Sequence, residues 1–313
     1  MSTAIVSAAT CLDLDTGSYF ELATRAGHAC LEQAGVAPER VGIVVNAGVF
    51  RDSNISEPAV AALIQQRLGI GLEYSTGQVP TFSFDLMNGA GGVVHALTAV
   101  HSFLAPGEFE YALIVAGDTH PSTRRYVEGF PYTAGGAALL LRSSTSAGGF
   151  GRPYTTQTEG AAQPTAWVDL TAAGTGGRTA LSVRSGPGDP LAYAAEVVRS
   201  CMDGEGIDRS HFATGAAVLL TPAPEPGFRE RLAYRLGVPI AAVAGVDPAV
   251  GDPYTAAPVH AYLTAAAAGL LDGARAVLFL AADDSSAVCV AYRPQPLESI
   301  GAGKALRTKH IDV

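Results

Sequence analysis

The chain has 313 residues, of which 48% are hydrophobic and 16% charged, and its formal net charge is −9. This composition excludes an intrinsically disordered chain, and the excess of acidic residues disfavours nucleic acid as a partner. No apolar run of about 18 residues predicts a membrane span, and the N-terminal sequence shows no export signal, so we expect a soluble protein without a membrane partner in the cytoplasm.

Buried strands and helices are predicted to alternate in the first half of the chain. The predicted strands are Ala4 to Ala8, Val41 to Val45, Thr81 to Leu86, Tyr111 to Val115 and Ala137 to Leu141. The predicted helices are Ser18 to Ala34, a segment that begins at Ser56, and about Gly89 to Phe103. Gly35 is a suitable C-cap for the first of these helices.

The second half repeats this order of elements. Its predicted helices are about Pro190 to Met202, Gly227 to Leu236 and Ala257 to Leu271. Its predicted strands lie near Ala180 to Val183, Ala216 to Leu220, Ile240 to Val243, Ala276 to Ala281 and Val288 to Tyr292. Alternation of this kind predicts an α/β protein with a mostly parallel sheet in each half. We expect two similar βαβαβαββ halves, residues 1–150 and 151–313, the second of which includes a C-terminal tail.

The run Phe84 to Leu97, Phe-Asp-Leu-Met-Asn-Gly-Ala-Gly-Gly-Val-Val-His-Ala-Leu, resembles the nucleophile segment of ketoacyl synthase III enzymes. The segment Tyr111 to Asp118 is similar to the next strand of that family and its Gly-x-Asp turn. Downstream, Arg235-Leu-Gly and Thr255-Ala-Ala resemble stretches beside the histidine and asparagine motifs of the family. The resemblance implies a thiolase-like fold in which the two duplicated halves form an αβαβα arrangement.

The resemblance also shows which chemistry is missing. In the family, a cysteine at a helix N-terminus becomes acylated, and a His and an Asn stabilise the enolate that decarboxylation leaves. These three positions are occupied here by Ala90, Pro222 and Pro253, or, with a shift of one residue, by Tyr254 or Asp252 at the Asn position. Alanine and proline side chains offer neither a nucleophile nor a hydrogen-bond donor, so the decarboxylative condensation is predicted to be absent.

Other residues are candidates for binding or catalysis. His120 occupies a position that lines the acyl tunnel in the family, and it either acts as a base or merely fills the tunnel. Asn88 either donates to a ligand carbonyl or caps a helix. Glu57 aligns with an aromatic residue that reaches into the partner's tunnel in the family, or it is a surface charge in the first turn of a helix. Three further histidines are interpreted as structural: His95, His101 and His260.

Two functions remain open at this point. One is a non-catalytic subunit that forms a homo- or heterodimer with a cysteine-bearing ketosynthase-like protein in specialised acyl or polyketide biosynthesis. The other is an acyltransferase that acts on acyl-CoA or acyl carrier protein with His120 as base and without an acyl-cysteine intermediate. The four cysteines are widely spaced and show no C-x-x-C pattern, so we predict no metal site and no cofactor.

Overall fold

A computed structural model describes residues 2–52, 59–71, 80–157, 166–169, 171, 181–184 and 186–294. Among these residues, five strands form the first sheet: β1 (Ser2–Cys11), β2 (Val41–Asn46), β3 (Phe82–Asp85), β4 (Tyr111–Ala116) and β5 (Gly136–Ser144). Their order across the sheet is β1-β5-β4-β2-β3. All five strands predicted for the first half are therefore confirmed.

The first sheet is mixed rather than mostly parallel. Strand β2 runs parallel to β3 and β4, whereas β5 runs antiparallel to both β4 and β1. The physical reason lies between β4 and β5, where residues 117–135 contain no helix. A parallel neighbour requires a long crossover, usually a helix, whereas an antiparallel neighbour does not.

The remaining strands are β6 (Gly149–Phe150), β7 (Tyr154–Gln157), β8 (Ala166–Val168), β9 (Leu181–Val183), β10 (Ala217–Thr221), β11 (Val243–Gly245), β12 (Ala276–Ala282) and β13 (Ser286–Arg293). The second sheet has the order β11-β10-β12-β13-β6, and β7 also pairs with β13. It too is mixed, because β13 is antiparallel to its neighbours. The strand predicted near Ala180 is found as β9, but it pairs with β8 in a separate two-stranded sheet.

Seven helices are described: α1 (Tyr19–Ala34), α2 (Val60–Leu68), α3 (Gly92–Leu104), α4 (Pro190–Glu205), α5 (Arg209–Ala213), α6 (Phe228–Leu236) and α7 (Ala257–Ala267). The predicted C-cap of α1 is confirmed, since Gly35 has φ +63°. Ser18, predicted as the first helical residue, is the N-cap, and its side chain accepts a hydrogen bond from the Glu21 amide. The short helix α5 was not predicted. The predicted helix start at Ser56 and the residue Glu57 lie outside the described residues.

The sheets and helices form five layers. Buried side chains of α1 and α2 share one cluster with the first sheet, and those of α4 and α6 share another with the second sheet. The helices α3 and α7 lie between the sheets, because their buried residues form one cluster with strands of both. This is the αβαβα arrangement that the sequence predicts. Within the described part of the chain, no helix combines the length and apolar character needed to cross a lipid bilayer.

Candidate functional site

The turn that leads into α3 lies in the layer between the two sheets. Ala90 is only 3% exposed, and the preceding Gly89 has φ +52°, a left-handed conformation that glycine adopts without strain. The helix starts at Gly92, later than the predicted Gly89, because this turn comes first. A Cβ on Gly92 would lie 2.9 Å from the Ala47 carbonyl oxygen, so the helix can pack this closely only with glycine there. A buried methyl group thus occupies the predicted nucleophile position.

Two polar side chains from the second half face this turn. Asp283 Oδ2 and Tyr254 Oη are so close to Gly89 that a Cβ atom added to this glycine would lie 3.0 Å from the first and 3.1 Å from the second. Tyr254 has φ +46°, which is uncommon for a residue with a side chain, and it follows the buried Pro253. The structure therefore brings Tyr254, one of the predicted site residues, to the turn before Ala90.

Asp283 is a site residue that sequence reasoning missed. It lies in the hairpin between β12 and β13, and its Oδ1 accepts hydrogen bonds from the Ser285 amide (2.9 Å), the Ser285 hydroxyl (2.7 Å) and the Ser286 amide (2.9 Å). These bonds fix the carboxylate so that Oδ2 points toward Gly89. The sequence Asp-Asp-Ser-Ser predicts a turn, but it contains no signal for proximity to residue 89.

Tyr254 belongs to a group of four packed aromatic rings, Phe50, Phe130, Tyr132 and Tyr254, which we call the aromatic cluster. The rings of Tyr132 and Tyr254 stack at a centroid distance of 4.0 Å with an interplanar angle of 15°. Phe50 lies 5.5 Å from Tyr132 and 5.5 Å from Phe130. Burial raises the pKa of both tyrosine hydroxyls well above the ordinary value. Both hydroxyls therefore remain protonated near neutral pH and can take part in hydrogen bonds.

His120 lies at the far side of the aromatic cluster from Gly89. The residue is 3% exposed, and its ring packs edge-on against Phe130 at a centroid distance of 5.3 Å. It lines a cavity of about 210 Å³ together with Phe130, Glu128 and residues of β9. Burial and the nearby Arg124 guanidinium lower the pKa of His120. The observed ring contacts connect His120 to Gly89 through Phe130, Tyr132 and Tyr254.

Asp118 connects the two halves of the protein at this site. Its carboxylate is fully buried and accepts four hydrogen bonds. The amides of Val49 (3.1 Å) and Phe50 (2.8 Å) donate to Oδ1, while the amide (3.1 Å) and hydroxyl (2.6 Å) of Thr255 donate to Oδ2. Burial raises the pKa of Asp118 to about 7, and these hydrogen bonds oppose the shift. Asp118 thereby holds the turn at Tyr254 against the loop after β2.

Comparisons with known proteins identify the fold. No family model matches the sequence. A segment of 98 residues is 31% identical to the beta-ketoacyl-[acyl-carrier-protein] synthase III of Rhizorhabdus wittichii and spans 31% of this chain but 28% of that protein. A segment of 104 residues is 29% identical to the Streptococcus pneumoniae enzyme of the same name and spans 29% of it.

Two solved structures match nearly the whole chain. The 3-oxoacyl-(acyl carrier protein) synthase III of Pseudomonas aeruginosa PAO1 aligns with a TM-score of 0.75 and 20% identity over 95% of this chain and 99% of that one. This chain has the ketoacyl synthase III-like, thiolase-type fold. The tetronic acid condensing enzyme AbyA1 has the same fold, with a TM-score of 0.67 and 20% identity over 93% of this chain and 100% of that one.

The other predicted positions occupy different places in this ketoacyl synthase III-like fold. Pro222 is buried directly after β10, and Asn88 is exposed on the turn before Ala90. The ring of His101 lies 2.9 Å from the Thr3 hydroxyl, and burial lowers the pKa of His260 to about 4. The roles of these residues stay predictions. Among the described residues, no His, Cys, Asp and Glu side chains are grouped so that they could hold a metal ion.

The loop after β1 lies next to the segment that carries His120. Arg125 holds this loop in place. Its guanidinium donates to the carbonyl oxygens of Leu12 (3.2 Å), Asp13 (2.7 Å), Thr16 (3.0 Å) and Ala134 (3.0 Å). One arginine thus satisfies four backbone carbonyls and ties the short loop to the segment that carries His120.

Proposed function

We propose that this chain is a ketoacyl synthase III-like subunit that does not catalyse decarboxylative condensation and that pairs with a cysteine-bearing homologue in specialised acyl or polyketide biosynthesis. The observation that carries this proposal is the buried methyl group of Ala90 at the start of α3. A methyl group cannot accept an acyl chain. The side chains of Pro222 and Pro253 cannot polarise a thioester carbonyl.

A cluster of exposed aromatic rings at the edge of the first sheet supports the pairing. Strand β3 is the last strand in the order of that sheet. Phe82 on β3 is 47% exposed and Phe103 on α3 is 39% exposed, and their rings lie 5.9 Å apart. The ring of Phe84 lies 5.1 Å from that of Phe82. A sheet edge beside exposed aromatic rings is typical of a protein interaction surface.

Co-expression with a cysteine-bearing homologue from the same gene neighbourhood tests the pairing. We expect native mass spectrometry to show a mixed dimer that turns over faster than the homologue alone. Phe82→Asp should abolish the mixed dimer, whereas the control Tyr234→Asp, at a side chain that is 90% exposed on α6, should leave it intact. The proposal fails if no mixed dimer forms and the homologue is equally active alone.

The absence of condensation is tested on the isolated chain. Incubation with acyl-CoA or acyl carrier protein should leave its intact mass unchanged. Ala90→Cys should not restore malonyl decarboxylation, because the loss of one oxyanion donor typically lowers the rate by about two to three powers of ten. Decarboxylation by this variant at the rate of a ketoacyl synthase III would contradict the assignment of Pro222 and Pro253.

A second candidate function is acyl transfer on acyl-CoA or acyl carrier protein substrates without an acyl-cysteine. The observation that favours it is the cavity of about 210 Å³ beside the buried ring of His120. His120 would act there as the base that the sequence predicts or as a hydrogen-bond donor. His120→Ala should then abolish any transfer in a variant that thermal unfolding shows to be folded. Transfer that survives this substitution would exclude the second candidate.

A further inference from the structure

A polar cavity lies at the end of β5 and is separate from the site around Ala90. It has a volume of about 280 Å³, opens to solvent and is lined by Arg142, Ser143, Ser144, Thr145 and Ser146. These side chains offer one guanidinium and four hydroxyl groups, and none of them is a carboxylate. A cation surrounded by hydroxyl donors favours an anionic ligand.

Strand β5 places this cavity at the far end of the first sheet. Ala137 pairs with Ala116 beside the segment that carries Asp118, whereas Arg142 pairs with Tyr111 at the other end of β4. The five residue steps from position 137 to position 142 correspond to about 17 Å of extended strand. A small ligand in the cavity therefore does not reach the turn at Ala90.

Arg142 is the charged group of this cavity, and its charge is not compensated. The side chain is half-buried, and among the described residues its guanidinium forms neither a hydrogen bond nor an ion pair. The nearby acid Glu110, whose carbonyl oxygen accepts from the Ser143 amide at 2.9 Å, pairs its carboxylate with Arg40 instead. Partial removal of an unpaired guanidinium from water is costly. An anion that reaches Arg142 would supply the missing acceptors.

The turn after Arg142 adds hydroxyl donors on a folded backbone. The Ser146 amide donates to Ser144 Oγ at 3.3 Å. The hydroxyls of Thr145 and Ser146 have no hydrogen-bond partner within the part of the chain that the structure describes. A guanidinium fork matches two oxygens of a phosphate group, and the hydroxyls can donate to the other oxygens of a tetrahedral anion. A planar carboxylate has only two oxygens and cannot satisfy both kinds of donor.

We propose that residues 142–146 bind a dianionic phosphate group, with Arg142 as the charged partner and the hydroxyls of Thr145 and Ser146 as further donors. This site is independent of both proposed functions and requires no turnover. The net charge of −9 repels anions at long range, but salt screens exposed charges beyond about 8 Å at physiological ionic strength. The local guanidinium therefore decides whether phosphate binds.

Titration of the full chain with inorganic phosphate at constant ionic strength and pH 7.5 tests the ligand class. Amide ¹⁵N–¹H NMR should show saturable shifts at residues 142–146 and none at residues 117–121. Acetate should bind about tenfold more weakly, because it lacks acceptors for the hydroxyl groups. Shifts that do not saturate, or acetate that binds as tightly as phosphate, would overturn the proposal.

Substitutions test which side chains hold the phosphate. Arg142→Gln should weaken phosphate binding by about tenfold or more, since it removes charge-assisted hydrogen bonds. Thr145→Val combined with Ser146→Ala should weaken it several-fold. Arg275→Gln, at an exposed arginine directly before β12, is the control and should bind phosphate like the wild type. Thermal unfolding shows whether each variant is folded. A folded Arg142→Gln that retains wild-type affinity would contradict the assignment.

A comparison of inorganic phosphate with glycerol 3-phosphate identifies the source of the phosphate group. Because the cavity opens to solvent, a phosphate monoester can leave its organic part outside. Binding of glycerol 3-phosphate at least as tight as that of phosphate supports a monoester ligand, and binding of phosphate alone supports the free anion. In both cases the ligand should raise the melting temperature of the wild type above that in chloride of equal ionic strength, but not that of Arg142→Gln. If neither compound binds, the site does not exist.

Discussion

Replacement of Asp118 by Asn should change the pH dependence of folding. In the wild type, Oδ2 of Asp118 accepts from both the amide and the hydroxyl of Thr255. An Asn amide nitrogen in that place can donate to the hydroxyl but cannot accept from the amide. A buried Thr255 N–H without an acceptor lowers the free energy of unfolding by about 1–3 kcal/mol. The two bonds to Oδ1 are retained if the Asn oxygen faces Val49 and Phe50.

The size of this effect depends on pH. Burial raises the pKa of Asp118 from 3.8 to about 7, so the native state binds the proton more tightly than the unfolded state. The wild type therefore loses stability as pH rises from about 4 to about 7, by about 1.4 kcal/mol for each unit between the two pKa values. Asn has no such titration. We expect the cost of Asp118→Asn to be largest at or below about pH 4, where the wild type is most stable, and to shrink by roughly 3 kcal/mol between pH 5 and pH 8.

Urea denaturation followed by circular dichroism between about pH 5 and pH 8 measures this difference. Asp252→Asn is the matched control. Burial raises the pKa of Asp252 to about 6, so the pH-dependent contribution of Asp252 to stability is lost at a lower pH than that of Asp118. Parallel pH profiles for wild type and Asp118→Asn would refute the reasoning. They would show that the four hydrogen bonds outweigh burial and keep Asp118 ionised throughout.

Three further substitutions test how loops and helix ends are held, each measured by urea denaturation. Ala59→Gly should stabilise the protein by about 1 kcal/mol, because Ala59 has φ +81°, a conformation strained for residues with a Cβ. If the free energy of unfolding does not increase in Ala59→Gly, the backbone at Ala59 is not strained. Asp85→Asn should destabilise by about 1–2 kcal/mol, since the carboxylate accepts from the amides of residues 59, 60 and 61 at the start of α2; Asp284→Asn is the control. Arg125→Ala should lower the free energy of unfolding by about 1–3 kcal/mol, because it leaves backbone carbonyls unpaired. Amide hydrogen exchange in residues 12–16 should become faster in this variant but not in the control Arg124→Ala.

The sequence alone predicted the local elements of this protein and its fold family. The C-cap of α1 at Gly35 and the five strands of the first sheet were identified correctly, because they depend on residues within a few positions of one another. In the second sheet, β6 and β7 were not predicted, and the strand predicted at Ile240 to Val243 is a 3-10 helix over Ile240–Ala242 followed by β11. The family resemblance around Phe84 to Leu97 implied the layered arrangement, and it predicts that Ala90 stands in place of the nucleophile. These features are encoded in order and spacing along the chain.

Only the tertiary structure showed how distant residues meet at the site. Asp283 faces Gly89 across nearly two hundred positions of sequence, Asp118 joins Phe50 to Thr255, and Tyr254 stacks on Tyr132. None of these contacts has a local pattern, since each depends on how the two halves pack around α3 and α7. The antiparallel pairing of β4 with β5 has the same origin, because pairing direction follows from the path of the connection rather than from strand composition.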